Sequence, residues 1–125
     1  MNVVDSSGWL EYFAEGKNAA FFAPAIEDTE HLVVPTICIY EVFKKVLHIH
    51  GQALAEIRSA DLMRGVVVDL TAALAMSAAM LSAELKLPMA DSLILATARE
   101  QGATLWTQDE HFQSLPGVKY IERAD

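Results

Sequence analysis

Short runs of apolar residues alternate along this chain with longer segments whose apolar positions recur at helical spacing. The short runs predict four strands and a fifth at the edge of the sheet, at Asn2–Asp5, His31–Val34, Val66–Val68, Thr104–Thr107 and Val118–Ile121. The longer segments predict helices at Ser6–Phe13, Asn18–Asp28, Thr36–His50, Gln52–Met63, Thr71–Leu85 and Pro88–Gly102. Short strands that alternate with longer helices predict an α/β sandwich around a mostly parallel sheet of four to five strands.

Local signals predict where several of these helices begin and end. Gly16 is the predicted stop of the first helix, and Thr36 is the predicted N-cap of the third. Pro24 lies inside the second helix, where it predicts a kink or a break because proline has no N–H to donate.

Length and composition indicate one globular domain. The chain has 125 residues, of which 53% are hydrophobic, so we expect residues 1–125 to fold as one unit with a substantial core. The most apolar long stretch, Val66–Leu81, contains Asp69 and predicts a strand followed by a buried helix, not a membrane span. Cys38 is the only cysteine, which excludes an internal disulfide and a cysteine-rich zinc site and fits a cytoplasmic location.

The charge balance restricts the kinds of partner. Seventeen acids stand against 9 bases, for a net charge of −8. This excess of acids argues against nucleic-acid binding by the whole surface, which depends on clustered positive charge. It is compatible with an acidic metal site beside a local basic patch.

The predicted helix Pro88–Gly102 carries one acid on a nearly continuous apolar surface. Asp91 is the only acid between Glu84 and Glu100, and it lies one turn before Leu95 on the same helical face. An unpaired carboxylate in that position would lose hydration. Asp91 therefore either caps the helix or has a positively charged partner.

Three further acids lie where a ligand site could form. Asp5 and Asp109 follow predicted strands, and parallel sheets bind ligands beyond the carboxyl ends of their strands. Glu41 belongs to the polar stripe of the predicted helix Thr36–His50. Four carboxylates at one edge would raise one another's pKa values, which a hard divalent cation such as Mg²⁺ or Mn²⁺ would relieve.

Each acid also has a purely structural explanation. Asp5 could cap the helix that follows it, and Asp109 could begin a turn. Glu41 could pair with Lys45, because Glu four residues before Lys is the favoured order on a helix. Asp91 could be an early-turn acid stabilised by the helix dipole. Spacing alone leaves both explanations open.

Four segments carry these acids in a fixed order: VDSSGWLEYF from Val4, ICIYEVFKKV from Ile37, MADSLILATA from Met89 and LWTQDEHF from Leu105. Together they resemble the PIN domain family, in particular the VapC-type toxins of prokaryotic toxin–antitoxin pairs. The order strand-Asp, helix-Glu, helix-Asp and strand-Thr-x-Asp is specific as a set, and the resemblance covers essentially the whole chain. It implies a PIN-like three-layer α/β/α sandwich and a metal-dependent endoribonuclease.

The resemblance also implies a catalytic site, formed by Asp5, Glu41, Asp91 and Asp109. Asp5, Asp91 and Asp109 would be the main ligands of one or two Mg²⁺ ions, with Mn²⁺ as the alternative. Glu41 would be a further ligand or would orient the attacking water. The implied partners are an RNA substrate, a VapB-type antitoxin and a second copy of the chain in a homodimer.

Other polar residues stand close to these acids in the sequence. Ser6 matches the family's hydroxyl position after the first acid, and Thr107 would support Asp109 by a hydrogen bond. Lys44 and Lys45 lie within one turn of the helical glutamate, where they could contact the RNA backbone. Solvated lysines on a polar stripe are the simpler explanation for both.

Two interpretations concern surface residues. We interpret His111, two residues after Asp109, as a surface histidine, with contact to the substrate as the alternative. Apolar residues around Phe21, Phe22 and the predicted helix Gln52–Met63 are expected to be exposed and to offer a groove for the antitoxin or the second copy.

Other classes of protein share parts of this pattern. A phospho-receiver signalling module would place Asp69 near the phosphoacceptor position, with Thr107 and Lys119 after it. The first strand of such a module would end in an acidic pair, whereas the first strand of this chain ends in the single acid Asp5. A haloacid-dehalogenase-like phosphatase would need a second Asp after Asp5. A PIN nuclease that processes RNA without an antitoxin stays open, whereas the intact acid set argues against a non-catalytic PIN protein.

Overall fold

A computed structural model describes residues 1–124 of the chain. The strands are β1 Asn2–Val4, β2 Val33–Pro35, β3 Val66–Val68, β4 Thr104–Thr107 and β5 Val118–Tyr120. The helices are α1 Ser6–Phe13, α2 Ala19–Glu27, α3 Thr36–His50, α4 Gln52–Leu62, α5 Ala72–Leu85 and α6 Met89–Glu100. Single turns of 3-10 helix occupy Thr29–His31 and Glu110–Phe112.

The strands follow one another across the structure in the order β3-β2-β1-β4-β5. Strands β1, β4 and β5 form one hydrogen-bonded sheet and β2 pairs with β3, while a single bridge between Asn2 and Leu32 joins the two parts. Every pair formed by the described residues is parallel, as predicted. The carboxyl ends of the strands therefore share one edge.

Both faces of the central strand β1 are covered. Val3 and Val4 point to opposite faces, and both are 0% exposed. Helices α2 and α6 pack against β1, and α6 also contacts β2 and β4. A sheet buried on both faces is the arrangement of a three-layer α/β/α sandwich.

Helix α6 owes its central place to its sequence. All seven residues from Ser92 to Ala98 are buried, in agreement with the nearly continuous apolar surface that the sequence predicts. The two hydroxyl groups in this run, of Ser92 and Thr97, donate to the backbone carbonyls of Met89 and Leu93, so neither is left without a partner.

Several predicted boundaries are wrong. Thr36 does not cap α3, because it is already helical and Pro35 precedes it as the N-cap without a side-chain hydrogen bond. Helix α1 spans Ser6–Phe13 as predicted, but Gly16 is not its stop, because Glu15 takes the left-handed conformation after the helix, with φ of 53°. Strand β2 begins after its predicted start because the 3-10 turn Thr29–His31 precedes it.

The predicted break at Pro24 is also absent. Helix α2 runs without interruption through Pro24, and its residues Phe22, Ala25 and Ile26 are buried in the core. The packing of this apolar face therefore outweighs the one backbone hydrogen bond that proline removes.

The apolar stretch that begins at Val66 is a strand followed by a helix, as predicted. Within residues 1–124, none of the helices is both long enough and apolar enough to cross a membrane.

Candidate functional site

Two of the predicted acids lie side by side at the carboxyl edge of the sheet. Val4 of β1 stands opposite Trp106 of β4, so the residues that follow these two strands meet at the same level. The backbone N–H of Asp5 extends the pairing by donating to the Trp106 carbonyl at 3.1 Å. Asp109 follows β4 and is partly exposed.

Asp5 is buried and surrounded by donors. Its side chain is 3% exposed, and Oδ1 accepts hydrogen bonds from the Gly8 N–H at 2.9 Å and the Ser7 hydroxyl at 2.8 Å. Oδ2 accepts one from the Thr107 hydroxyl at 2.5 Å. Asp5 is thus the N-cap of α1, so its structural explanation holds. Oδ2 still has a lone pair available for another partner.

Close packing fixes this first turn of α1. A Cβ atom on Gly8 would lie 2.7 Å from side-chain atoms of both Phe22 and Val4, which is too close for any larger residue. Glycine therefore lets α1 approach β1 and α2 closely enough for its N–H groups to face Asp5.

The burial of Asp5 has an electrostatic cost. Loss of hydration raises the pKa of Asp5 from 3.8 to about 6, against the lowering effect of the hydrogen bonds from Thr107, Gly8 and Ser7. The nearby charge of Asp109 raises it further. At neutral pH this edge holds a carboxylate that a cation would stabilise.

Thr107 links the two strand-end acids in a way the sequence only partly predicts. The predicted hydrogen bond between Thr107 and Asp109 is present, but the fully buried Thr107 hydroxyl accepts it and donates its own proton to Asp5, which was not predicted. The same oxygen accepts the backbone N–H of Asp109 at 2.9 Å. One hydroxyl thus sets the position of both acids.

Glu41 reaches the site from α3 and is held by Ser6. The Ser6 hydroxyl donates to Oε1 of Glu41 at 2.6 Å, which links the start of α1 to α3. Glu41 is partly buried, and this hydrogen bond takes the place of the pairing with Lys45 that its spacing allows.

Asp91, on the first turn of α6, meets Asp109 through a histidine. Nδ1 of His111 lies 2.8 Å from Oδ2 of Asp91 and 3.2 Å from Oδ1 of Asp109. The Asp91 side chain is only 16% exposed, and burial raises its pKa, with further increases from the charges of Asp109 and Glu41. The His111 hydrogen bond and charge oppose that rise.

The four predicted acids therefore form one electrostatically connected group. Asp109 acts on both Asp5 and Asp91, and Glu41 acts on Asp91. The tightest part contains Asp91, Asp109 and His111, whose ligand atoms lie within 4.8 Å of one another. Oxygen ligands that repel one another beside solvent are compatible with a divalent cation. That these acids bind it stays a prediction.

The sequence predicts the place of His111 only in part and that of Phe22 wrongly. His111 is exposed, as interpreted, but its ring is turned into the acidic group. The only signal for it was its position two residues after Asp109, which the 3-10 turn Glu110–Phe112 converts into contact. Phe22 is 0% exposed and lines no groove. The apolar groove lies between α3 and α4, where it is lined by Ile39, Tyr40, Phe43, Leu47 and Met63.

Lys44 and Lys45 are exposed on α3, one turn after Glu41. They line a shallow groove with Tyr40, Glu41 and His48, and Nζ of Lys44 lies 5.8 Å from the centre of the Tyr40 ring. Asp69, by contrast, follows the edge strand β3 and is exposed, away from the acids that follow β1 and β4.

A family model for the PIN domain matches residues 3–118. The chain belongs to the PIN domain family. The matched range contains all four segments on which the resemblance rests, so the predicted family and fold class are confirmed. Because the chain is a PIN domain, it is not a phospho-receiver module. The assignment of Asp69 as a phosphoacceptor is therefore set aside.

Solved structures share this PIN fold over nearly the full chain. A toxin–antitoxin complex from Klebsiella pneumoniae has a TM-score of 0.78 at 22% identity, and the match covers 95% of this chain and 96% of that one. VapBC2 from Rickettsia felis, bound to promoter DNA, gives 0.72 at 16%, with 97% of each chain covered. Mycobacterium tuberculosis VapC20, described as a toxin that cleaves the sarcin-ricin loop, gives 0.74 at 16%, covering 91% and 94%. No curated protein sequence matches the chain.

The raised pKa of Asp5 predicts a pH-dependent gain in stability for Asp5→Asn. The Asp5 carboxyl group loses its proton near pH 3.8 in the unfolded chain and near pH 6 in the folded chain. The stability of the wild-type protein therefore falls as the pH rises between these values. In metal-free buffer we expect Asp5→Asn to be the more stable by up to about 3 kcal/mol above about pH 7, with the difference vanishing near about pH 4. Urea unfolding across this range measures it.

Asp69→Asn is the matched control, because Asp69 also follows a strand but is exposed. Its effect on stability should be small at every pH. A difference between Asp5→Asn and wild type that does not change with pH would contradict the prediction.

Proposed function

We propose that this PIN domain protein is a metal-dependent endoribonuclease that hydrolyses RNA phosphodiester bonds, and that it is the toxin of a VapBC-type toxin–antitoxin pair. The observation that carries the proposal is the convergence of Asp5, Glu41, Asp91 and Asp109, from four separate elements, at one edge of a parallel sheet. Because its substrate would be cellular RNA, we expect the enzyme to act in the cytoplasm.

In this proposal Asp5, Asp91 and Asp109 hold the cation, either directly or through water. Mg²⁺ is the expected ion and Mn²⁺ the alternative, and either would polarise the phosphate and favour the attack of water on it. Oδ1 of Asp5 is already occupied by two donors, so Oδ2 is the atom that would face the ion. The hydrogen bond from Thr107 holds that oxygen in a fixed direction.

Glu41 would act as a further ligand or would orient the attacking water. The Ser6 hydroxyl donates to Oε1 of Glu41 and thereby favours the orientation in which this side chain reaches the start of α1. Both roles require a carboxylate that is held in place and partly exposed, and the position of Glu41 satisfies this requirement.

The chain needs a local source of positive charge to bind RNA, because its net charge is −8. Lys44 and Lys45 supply two exposed ammonium groups in the groove that starts at Glu41. Tyr40, which is also exposed in this groove, offers an aromatic face beside them. We place the RNA backbone in this groove, next to the acids.

The resemblance to toxin–antitoxin complexes supports an antitoxin partner, and the apolar groove between α3 and α4 supports protein contacts. Tyr40, Leu47, Ile57 and Met63 leave large apolar side chains exposed along these two helices. A VapB-type antitoxin and a second copy of the chain are the expected partners. The test is the mass of the protein in solution, measured alone and together with the product of the neighbouring gene. A monomeric mass in both cases would favour the alternative, an RNA-processing PIN nuclease without an antitoxin.

We predict that cleavage of RNA requires the divalent cation and the acids together. With Mg²⁺ or Mn²⁺ the wild-type protein should cleave RNA internally, and EDTA should abolish cleavage. Asp91→Asn and Glu41→Gln should each lower the rate at least about 100-fold, since each removes charge worth several kcal/mol in the transition state. Single-turnover cleavage of a labelled RNA measures these rates.

Asp69→Asn is again the matched control and should cleave at the wild-type rate. Circular dichroism of each variant shows whether the fold is retained. Full activity in EDTA would contradict the metal dependence, and full activity of Asp91→Asn would contradict the site assignment.

We predict that the double variant Lys44→Gln/Lys45→Gln binds RNA more weakly and with a smaller dependence on salt. Each lost phosphate contact should lower the slope of log affinity against log salt concentration by about 0.7 for single-stranded RNA. Binding to the cleavage-deficient Asp91→Asn background measures the slope. Arg64→Gln is the control and should leave the slope unchanged. Arg64 is an exposed cation that lies just before β3 begins, and hence at the opposite edge of the sheet.

A further inference from the structure

His111 is the one nitrogen-bearing side chain in the tight group with Asp91 and Asp109 among the described residues. Its Nδ1 atom lies between the two carboxylates, at 2.8 Å from one and 3.2 Å from the other. The backbone N–H of His111 also donates to Oδ1 of Asp109 at 3.0 Å. The ring is therefore anchored on the same turn as one acid and turned toward the other.

These separations match those of ligand atoms that share one ion. In an octahedral shell with bonds of about 2.1 Å, neighbouring ligand atoms lie about 3 Å apart. Nδ1 of His111 already stands at that distance from an oxygen of each acid. The His111 side chain is 51% exposed, so water and an incoming ion can reach this nitrogen.

We propose that His111 binds, through Nδ1, the divalent cation held by Asp91 and Asp109, and that this nitrogen makes the site favour Mn²⁺ over Mg²⁺. The inference rests on the proposed metal-dependent function and specifies its ligand set. Mg²⁺ is a hard ion that prefers oxygen ligands and retains its waters, whereas Mn²⁺, although it also suits carboxylates, is the first member of the transition-metal series that binds nitrogen ligands. Replacing one oxygen ligand by nitrogen therefore shifts the preference toward Mn²⁺.

A simple ion pair is the competing explanation for His111. His31 shows what such a pair looks like on this chain, since its Nδ1 lies 3.0 Å from Oδ1 of Asp28 on an exposed 3-10 turn. That pair involves one acid, whereas His111 contacts two acids from different elements, one of them largely buried. An ion pair within the turn would need only the contact between His111 and Asp109. It would not require the further contact with Asp91 on α6.

The test is electron spin-echo spectroscopy of Mn²⁺ bound to the full chain, together with Mn²⁺ and Mg²⁺ titrations by calorimetry. The wild-type spectrum should show modulation from a directly bound nitrogen. His111→Ala and His111→Asn should lose it, and their dissociation constants for Mn²⁺ should rise about tenfold or more. His111→Asn, which places an amide oxygen near the position of Nδ1, should bind Mg²⁺ almost as tightly as wild type.

His31→Ala is the matched control and should retain the nitrogen modulation and both affinities. Mn²⁺ binding without nitrogen modulation, or an unchanged ratio of Mn²⁺ to Mg²⁺ affinity in both His111 variants, would overturn the inference while leaving the proposed function intact. Failure of wild type to bind either ion would overturn both.

Discussion

The arrangement of this PIN domain depends on one costly feature, the carboxylate of Asp5 buried at the end of the central strand. Three donors, from Ser7, Gly8 and Thr107, surround it, and its pKa is still raised to about 6. Hydrogen bonds alone therefore do not compensate for its lost hydration. In the proposed function, a cation at this edge would supply the missing stabilisation.

The rest of the fold brings further acids to the same place. Parallel strands put Asp5 and Asp109 at one edge, and the Thr107 hydroxyl bonds to both. Helix α6, buried through most of its length, carries Asp91 on its first turn. The Ser6 hydroxyl holds Glu41 on α3. Elements anchored in the core thus hold acids whose neighbouring charges raise the pKa values of Asp5 and Asp91.

The sequence was informative where an acid stood out from the apolar residues around it. Asp91 stood out as the one acid on an apolar helix, and Asp5 and Asp109 stood out because they follow strands. Thr36, Pro24 and Phe22 were predicted wrongly because their outcome depends on tertiary packing, which local signals do not contain. Phe22, for example, is buried because it packs against Gly8 of the neighbouring helix α1.

His111 illustrates a second limit. Its nearness to Asp109 is visible in the sequence, but its contact with Asp91 joins residues separated by 20 positions and depends on how α6 lies beside β4. The direction of the Thr107 hydroxyl was missed for the same reason, because its acceptor Asp5 lies 102 positions away. Residue types at the site were predictable, whereas the hydrogen bonds among them required the structure.

In the proposed function, the acidic edge is a binding site where a divalent cation offsets the mutual repulsion of the carboxylates. Urea unfolding at about pH 7.5, in EDTA and in Mg²⁺ at equal ionic strength, tests it most directly. At Mg²⁺ about 100 times its dissociation constant, wild type should gain about 2.7 kcal/mol, and Asp91→Asn should gain little. Equal stability of wild type with and without Mg²⁺, or an equal gain in Asp91→Asn, would contradict cation binding at this edge.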